Sequence, residues 1–254
     1  MLMKEFLREI ITEAGRISLG YKARIADLAV NRKSLKDLVT EADVAVEEYL
    51  VKQIQSRFGD HAIWGEETGS HPGGEYCWVI DPIDGTTSFV HDYPFYSVSI
   101  ALEYKGRAVL AAVYAPVLNE MFFAEKGRGA TLNGKPIRVT HTSELSDCML
   151  ATGFACVRID EAENNLPHFN RLVPLIRDVR RGGSAALDLC YVACGRFDGY
   201  WEMCLKPFDI AAGRLIVTEA GGIVTDFENG LQNLPRQIVA ANPTIHPQML
   251  SLLR

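Results

Sequence analysis

Residues 78–91 read Trp-Val-Ile-Asp-Pro-Ile-Asp-Gly-Thr-Thr-Ser-Phe-Val-His, an apolar run that ends in two carboxylates three positions apart. Two acids at a strand end are costly to bury unless a cation sits between them. The turn that follows at once, Gly85-Thr86-Thr87, offers N–H groups and hydroxyls that suit an anion. Hard-cation ligands beside anion donors point to metal-assisted phosphoryl chemistry. Asp81 and Asp84 are too few on their own, because Mg²⁺ takes several oxygens at about 2.0–2.1 Å and keeps some waters. A third acid from another loop is therefore expected.

Five further places come into question. Glu66-Glu67 closes the short stretch Ala62-Ile63-Trp64-Gly65, and Glu66 can serve if that loop faces Asp81. Asp209 is expected at the N-cap of a helix over 210–220, where capping alone would also explain an acid. Glu202 ends the aromatic run Tyr200-Trp201; it can pair with Lys206 or Arg196, or accept hydrogen bonds from a substrate hydroxyl. Gly182-Gly183-Ser184 opens a helix whose first N–H groups suit an anion or a polyol, although a tight turn explains these residues equally well. Asp43 lies in the first turn of a helix that starts at Thr40, and nothing local makes it catalytic.

The elements that must hold these residues follow from periodicity. Leu2, Phe6, Ile10, Ala14 and Ile17 predict an amphipathic helix over 2–20, followed by a basic, polar connection at 31–39. Thr40-Glu41-Ala42-Asp43 reads as a capping box, and Gly59 ends that helix. Strands at 62–64, 77–80, 97–104, 108–114 and 121–124, with turns at Lys105-Gly106 and Asn133-Gly134, predict an antiparallel meander. The second half alternates: strands at 149–152, 197–202, 223–226 and 238–241, and helices at 166–177, 185–194, 210–220 and 246–253. The expectation is a layered α/β architecture with two sheets, in one domain over 1–254 with halves near 1–142 and 143–254.

Composition removes several classes. A chain of 254 residues, 48% hydrophobic and 23% charged, can bury a large core, and its formal charge of −6 predicts no nucleic-acid partner. The N-terminal charges Lys4, Glu5, Arg8 and Glu9 break any signal-peptide core, and no run is long enough to span a membrane. A cytoplasmic location is expected, with the six cysteines as free thiols. Cys190 and Cys194 share a helix face but make a poor soft-metal site without a nearby His. The sequence has no dinucleotide fingerprint, P-loop, Gly-x-Ser-x-Gly or His-Glu-x-x-His.

Asp81-Pro82-Ile83-Asp84-Gly85-Thr86-Thr87, with Gly65-Glu66-Glu67 upstream and Phe208-Asp209-Ile210-Ala211-Ala212-Gly213…Glu219-Ala220-Gly221-Gly222 downstream, resembles the inositol monophosphatase family. That family belongs to a lithium-sensitive, Mg²⁺-dependent phosphatase superfamily. The segments Gly183–Leu189 and Leu205–Asp209 look closer to its bacterial members. The resemblance implies an α/β/α/β/α five-layer sandwich, a homodimer, and two to three Mg²⁺ per subunit, with Li⁺ and Ca²⁺ inhibitory. It implies that Glu66, Asp81 and the Ile83 carbonyl hold one Mg²⁺, that Asp81, Asp84 and Asp209 hold a second, and that a weaker third sits near Glu66. Thr86, paired with Asp43, would orient the attacking water with help from Glu66; Gly85, Thr86 and Thr87 would hold phosphate. Gly183, Ser184, Ala185 and Glu202 would meet the alcohol. Ser88 and Phe208 depart from the family's usual Asn and Trp, at positions that are not metal ligands.

The function expected on this basis is hydrolysis of inositol-1-phosphate. Histidinol-phosphate phosphatase and fructose-1,6-bisphosphatase are alternatives from the same superfamily. A regulatory or binding protein that kept the fold and lost catalysis is an alternative of a different class.

Overall fold

The computed structural model describes residues 2–25, 30–34, 37–159 and 161–254, with the backbone alone for 30–34 and 37–39. The helices α1 (Met3–Lys22) and α2 (Glu41–Arg57) open the chain. Between them β1 (Val30–Ser34) and β2 (Asp37–Thr40) pair antiparallel, so the stretch read as a plain connection contains a hairpin. Its polar residues lack the apolar alternation that reveals a half-buried strand.

Next come β3 (Ala62–Gly65), β4 (Gly69–His71), β5 (Tyr76–Asp84), the short α3 (Thr86–Val90), β6 (Ser97–Tyr104), β7 (Arg107–Ala115), β8 (Glu120–Glu125), β9 (Ala130–Leu132) and β10 (Lys135–Pro136). They build an eight-stranded sheet in the order β10-β9-β8-β7-β6-β5-β3-β4. From β5 to β10 it is the expected antiparallel meander. The departure is β3, which runs parallel to β5 with Gly65 opposite Ile80. This parallel pair brings the ends of both strands, and so Glu66 and Asp81, to one edge of the sheet.

The second half contains β11 (Met149–Thr152), α4 (Ala155–Arg158), α5 (Leu166–Leu172), β12 (Asp178–Arg180), α6 (Ala185–Ala193), β13 (Gly199–Met203), α7 (Pro207–Glu219), β14 (Ile223–Thr225), β15 (Gln237–Ala241) and α8 (His246–Leu253). Its five-stranded sheet has the order β12-β11-β13-β15-β14, with β11 parallel to both neighbours. The helix expected over 166–177 ends at Leu172 and passes through a 3₁₀ turn, Val173–Leu175. Pro174 has no N–H to continue the helix. The Arg177 and Asp178 N–H groups then bond to the Cys148 carbonyl at 3.0 and 3.3 Å, which draws the chain into the sheet as β12.

Side-chain alternation along the strands explains the layering. Trp78, Ile80, Val98 and Ile100 face outward, where Leu7, Ile10, Ile11, Val46, Leu50 and Ile54 of α1 and α2 cover them. Val79 and Ala101, on the other face, pack on Leu187, Leu189, Ile216 and Val217 of α6 and α7, which also meet Ala151, Tyr200 and Ala240 of the second sheet. The far side is closed by Leu172, Met249, Leu250 and Leu253 against Leu150, Trp201 and Val239. Each large side chain so buried contributes about 1.5–3 kcal/mol. The result is an α/β/α/β/α layered sandwich, with α6 and α7 in the middle. Those two helices approach so closely that a Cβ at Gly213 would lie 2.7 Å from Leu189 Cβ. Among the described residues no helix is long and apolar enough to cross a membrane.

Candidate active site

In a regular strand, positions three apart point to opposite faces. Here Asp81 partners Ser99 and Asp84 partners Ser97, so three steps on β5 meet two on β6. The extra residue is a bulge, pinned where the Ile83 N–H donates to Asp81 Oδ1 at 3.1 Å. It turns both acids toward the carboxylate of Asp209, and ligand oxygens from the three lie within 4.8 Å of one another. Asp209 is not the N-cap expected for it. The helix α7 starts earlier, at Pro207, which suits a first helical position, and Asp209 is the third residue, accepting the Lys206 N–H at 2.5 Å.

The N-terminus of α6 serves the same acids. Ser184 caps the helix, as its Oγ accepts the Leu187 N–H at 3.3 Å. Its hydroxyl donates to Asp84 Oδ2 at 2.5 Å, and the Ala185 and Ala186 N–H groups reach Asp84 at 3.2 and 2.7 Å. Of the groups foreseen for a ligand, the Ser184 hydroxyl and the Ala185 N–H are engaged by a carboxylate of β5, while Gly183 lines the pocket. Gly85 has φ 100° and lies close to this helix: a Cβ there would come within 3.0 Å of the Gly183 carbonyl. Ser88, one of the two departures from the family pattern, donates to the Gly182 carbonyl at 3.5 Å.

Asp81 and Asp84 are buried and Asp209 half-buried. Burial pushes the carboxyls of Asp81 and Asp209 well above the usual range, with charge repulsion among the acids adding to it. Asp84 is pushed up to about 7 by burial, against the pull of its bonds from Ser184, Ala186 and Ala185. The charge of Glu66 raises all three. Among the described residues no Lys or Arg forms an ion pair with any of the three. Such a group cannot ionise together unless a cation is supplied, and oxygen donors of this kind fit Mg²⁺.

Asp43 completes the capping box predicted for α2: its Oδ2 accepts the Thr40 N–H at 2.9 Å and the Thr40 hydroxyl at 2.6 Å. Its Oδ1 stands 3.1 Å from the Thr86 hydroxyl, which also lies 3.2 Å from the Ile83 carbonyl. Burial raises the Asp43 carboxyl to about 6 despite the Thr40 bonds.

At the other end of the pocket Glu202 is buried and takes the Ala155 N–H at 3.0 Å and the Tyr200 hydroxyl at 2.5 Å. It does not pair with Arg196, which binds Glu120 at 2.8 Å, nor with Lys206. Gly153 leaves room for it, since a Cβ there would sit 2.0 Å from Glu202 Oε2. One pocket of about 300 Å³ is lined by Glu66, Asp81, Ile83, Asp84, Gly85, Thr86, Thr87, Gly183, Ala185, Glu202 and Asp209. Of the candidate residues only Asp43 and Ser184 lie outside this lining, and they hold Thr86 and Asp84 from behind.

Sequence reasoning did not place four charged lining residues in the pocket. Asp188 is 1% exposed, and its Oδ1 has no hydrogen-bond partner. An acid inside the apolar run Ala185–Ala193 was the available signal. Arg158, Arg181 and Lys206 also line the pocket, while their charge marks them in sequence only as surface residues.

The fold is thus an α/β/α/β/α layered sandwich with a three-aspartate pocket at the end of β5 and the start of α7. The chain belongs to the inositol monophosphatase family, which it matches over residues 2–254. It is 44% identical over 248 residues to the Nus factor SuhB of Pseudomonas aeruginosa, covering 95% of this chain and 92% of that protein. It is 46% identical over 220 residues to the inositol-1-monophosphatase of Synechocystis, covering 85% and 77%. The crystal structure of the extragenic suppressor protein suhB from Bartonella henselae superposes with a TM-score of 0.93 at 35% identity, covering 98% of this chain and 97% of that one.

Proposed function

We propose that this protein is a Mg²⁺-dependent phosphomonoesterase that hydrolyses inositol-1-phosphate by direct attack of water. The observation that carries the reading is one pocket that joins three mutually close aspartates to the Gly85-Thr86-Thr87 turn and to Glu202. Glu66, Asp81 and the Ile83 carbonyl would hold one Mg²⁺; Asp81, Asp84 and Asp209 would hold another, and a weaker third would sit near Glu66. Bound there, Mg²⁺ supplies positive charge against the phosphoryl oxygens and an acidified water.

The chain's own residues have separate tasks. Asp43 fixes the Thr86 hydroxyl at 3.1 Å, so its lone pairs face a defined direction in the pocket wall. Thr87 and Gly85 flank it and take phosphate oxygens. Glu202 is held by Ala155 and Tyr200, and its remaining lone pairs accept hydroxyl hydrogens from a polyol. Phosphate release from inositol-1-phosphate, histidinol phosphate, fructose-1,6-bisphosphate and a nucleotide 3′-phosphate tests the reading. The first should be turned over best, and turnover should need Mg²⁺. Preference for another member of the panel would overturn the substrate assignment.

A second reading has one specific support: the 44% identity to a protein named as a Nus factor. On it, this chain also works with the transcription machinery, through its surface rather than its pocket. Co-purification with RNA polymerase, unchanged in a variant with no phosphatase activity, is the expected result; no association would remove it.

A further inference from the structure

The helix α2 carries a second buried acid one turn beyond Asp43. Asp43 and Glu47 are four residues apart and so share one face of the helix, and each is 0% exposed. Asp43 reaches Thr86, whereas Glu47 reaches the loop after β3. Its Oε2 accepts the Glu67 N–H at 3.0 Å and its Oε1 the Thr68 N–H at 2.6 Å. Those amides follow Glu66 directly. On the near side of Glu66 stands Gly65, where a Cβ would lie 2.2 Å from Glu47 Oε1 and 2.5 Å from its Cδ. The Glu47 carboxylate therefore occupies the space that a side chain at Gly65 would need. It bonds the chain just after Glu66 and packs against the backbone just before it.

As a device for stability alone this arrangement is a poor choice. A buried carboxylate costs several kcal/mol unless paired, and among the described residues no Lys or Arg forms an ion pair with Glu47. It also lies on the same helix face as another acid. What it does well is to fix two adjacent N–H groups, one on each carboxyl oxygen.

We propose that Glu47 is a positioning residue that presents Glu66 to the aspartate cluster and so sets the affinity of the pocket for a divalent cation. The inference rests on the reading of that pocket as a Mg²⁺ site. With Asp43, it makes α2 a two-point brace, one acid behind the phosphate turn and one behind the metal loop.

The test is Mg²⁺ binding by calorimetry, with Mg²⁺-induced change in melting temperature measured in parallel. Glu47→Ala should weaken binding about tenfold, or about 1.4 kcal/mol. Glu47→Gln keeps one acceptor oxygen and should recover most of that loss. Gly65→Ala pushes the carboxylate aside without removing it, and should also weaken binding; it carries the test if Glu47→Ala does not fold. In the double variant Glu47→Ala/Gly65→Ala the new methyl enters vacated space, so its loss should not exceed that of Glu47→Ala. Wild-type affinity in both single variants, with only a lower metal-free melting temperature, would overturn the clamp. A wild-type protein that binds no Mg²⁺ would instead overturn the metal reading beneath it.

Discussion

The two ends of the pocket are both built from buried carboxylates, yet they are left in opposite states. At the aspartate end, Asp81, Asp84 and Asp209 crowd within 4.8 Å, and burial together with repulsion among the acids pushes the carboxyls of Asp81 and Asp209 well above the usual range. At the alcohol end, Glu202 is a single acid held by Tyr200 and Ala155, and those bonds partly offset the upward push of its burial. The first arrangement needs a cation from outside. The second is already compensated and offers spare lone pairs to neutral hydroxyls. Burial alone therefore does not tell a metal ligand from a hydroxyl acceptor; the number of acids that share the space does.

The largest expected effect falls at the aspartate end. Asp84→Asn should abolish Mg²⁺-dependent turnover, by about 10³-fold or more, while the circular dichroism spectrum is unchanged. Activity near wild type would remove the two-metal assignment and make the two ends equivalent. Glu202→Ala should then separate them: inositol-1-phosphate turnover should fall by about 1–3 kcal/mol in transition-state stabilisation, with little change for a simple aryl phosphate. Equal losses for both substrates would place Glu202 outside the alcohol site.

A pH series sharpens the contrast. Asp43, raised from 3.8 to about 6, holds its proton in the folded state after the unfolded chain has lost it. Its contribution to metal-free stability is present below about pH 4 and falls by about 3 kcal/mol as pH rises to about 6. Asp84 continues the same trend toward about pH 7. If Mg²⁺ binds at the aspartates as proposed, it displaces the Asp84 proton, so its affinity should rise with pH up to that range and then level off. Chemical denaturation with and without Mg²⁺ measures both, and a flat metal-free profile would contradict the burial argument. The smallest effect expected is from Li⁺, which should inhibit at millimolar-order concentrations by competing at the aspartate end. Insensitivity over that range would weaken the likeness to lithium-sensitive relatives.

The local chemistry of the site was readable in Asp81–Thr87 because acids, glycine and threonines follow one another with no tertiary help. The capping box of α2 was equally local. What could not be read were the bonds that cross the chain. The pairing of Thr86 with Asp43 was reached through family resemblance alone, since nothing near Asp43 announces it. The N–H groups of α6 looked open to a ligand because their partner, Asp84, lies about a hundred positions earlier. The start of α7 was misplaced because an Asp is favoured both at a cap and in a first turn, and only Pro207 separated the two. The β1–β2 hairpin carried no apolar pattern to detect, and Glu47 is one of several acids in α2 with nothing local to set it apart; Asp188, alone in the apolar run of α6, did carry a signal that went unused.

The bonds from Ser184, Ala185 and Ala186 to Asp84 span 100 to 102 positions, and Asp209 is more distant still. During synthesis the phosphate turn leaves the ribosome long before the helix that braces it. Residues 1–142 would hold Glu66, Asp81 and Asp84 with neither that brace nor the third aspartate. The three-aspartate cluster should therefore assemble in a single late step, once α7 has docked between the sheets, rather than accumulate as the chain grows.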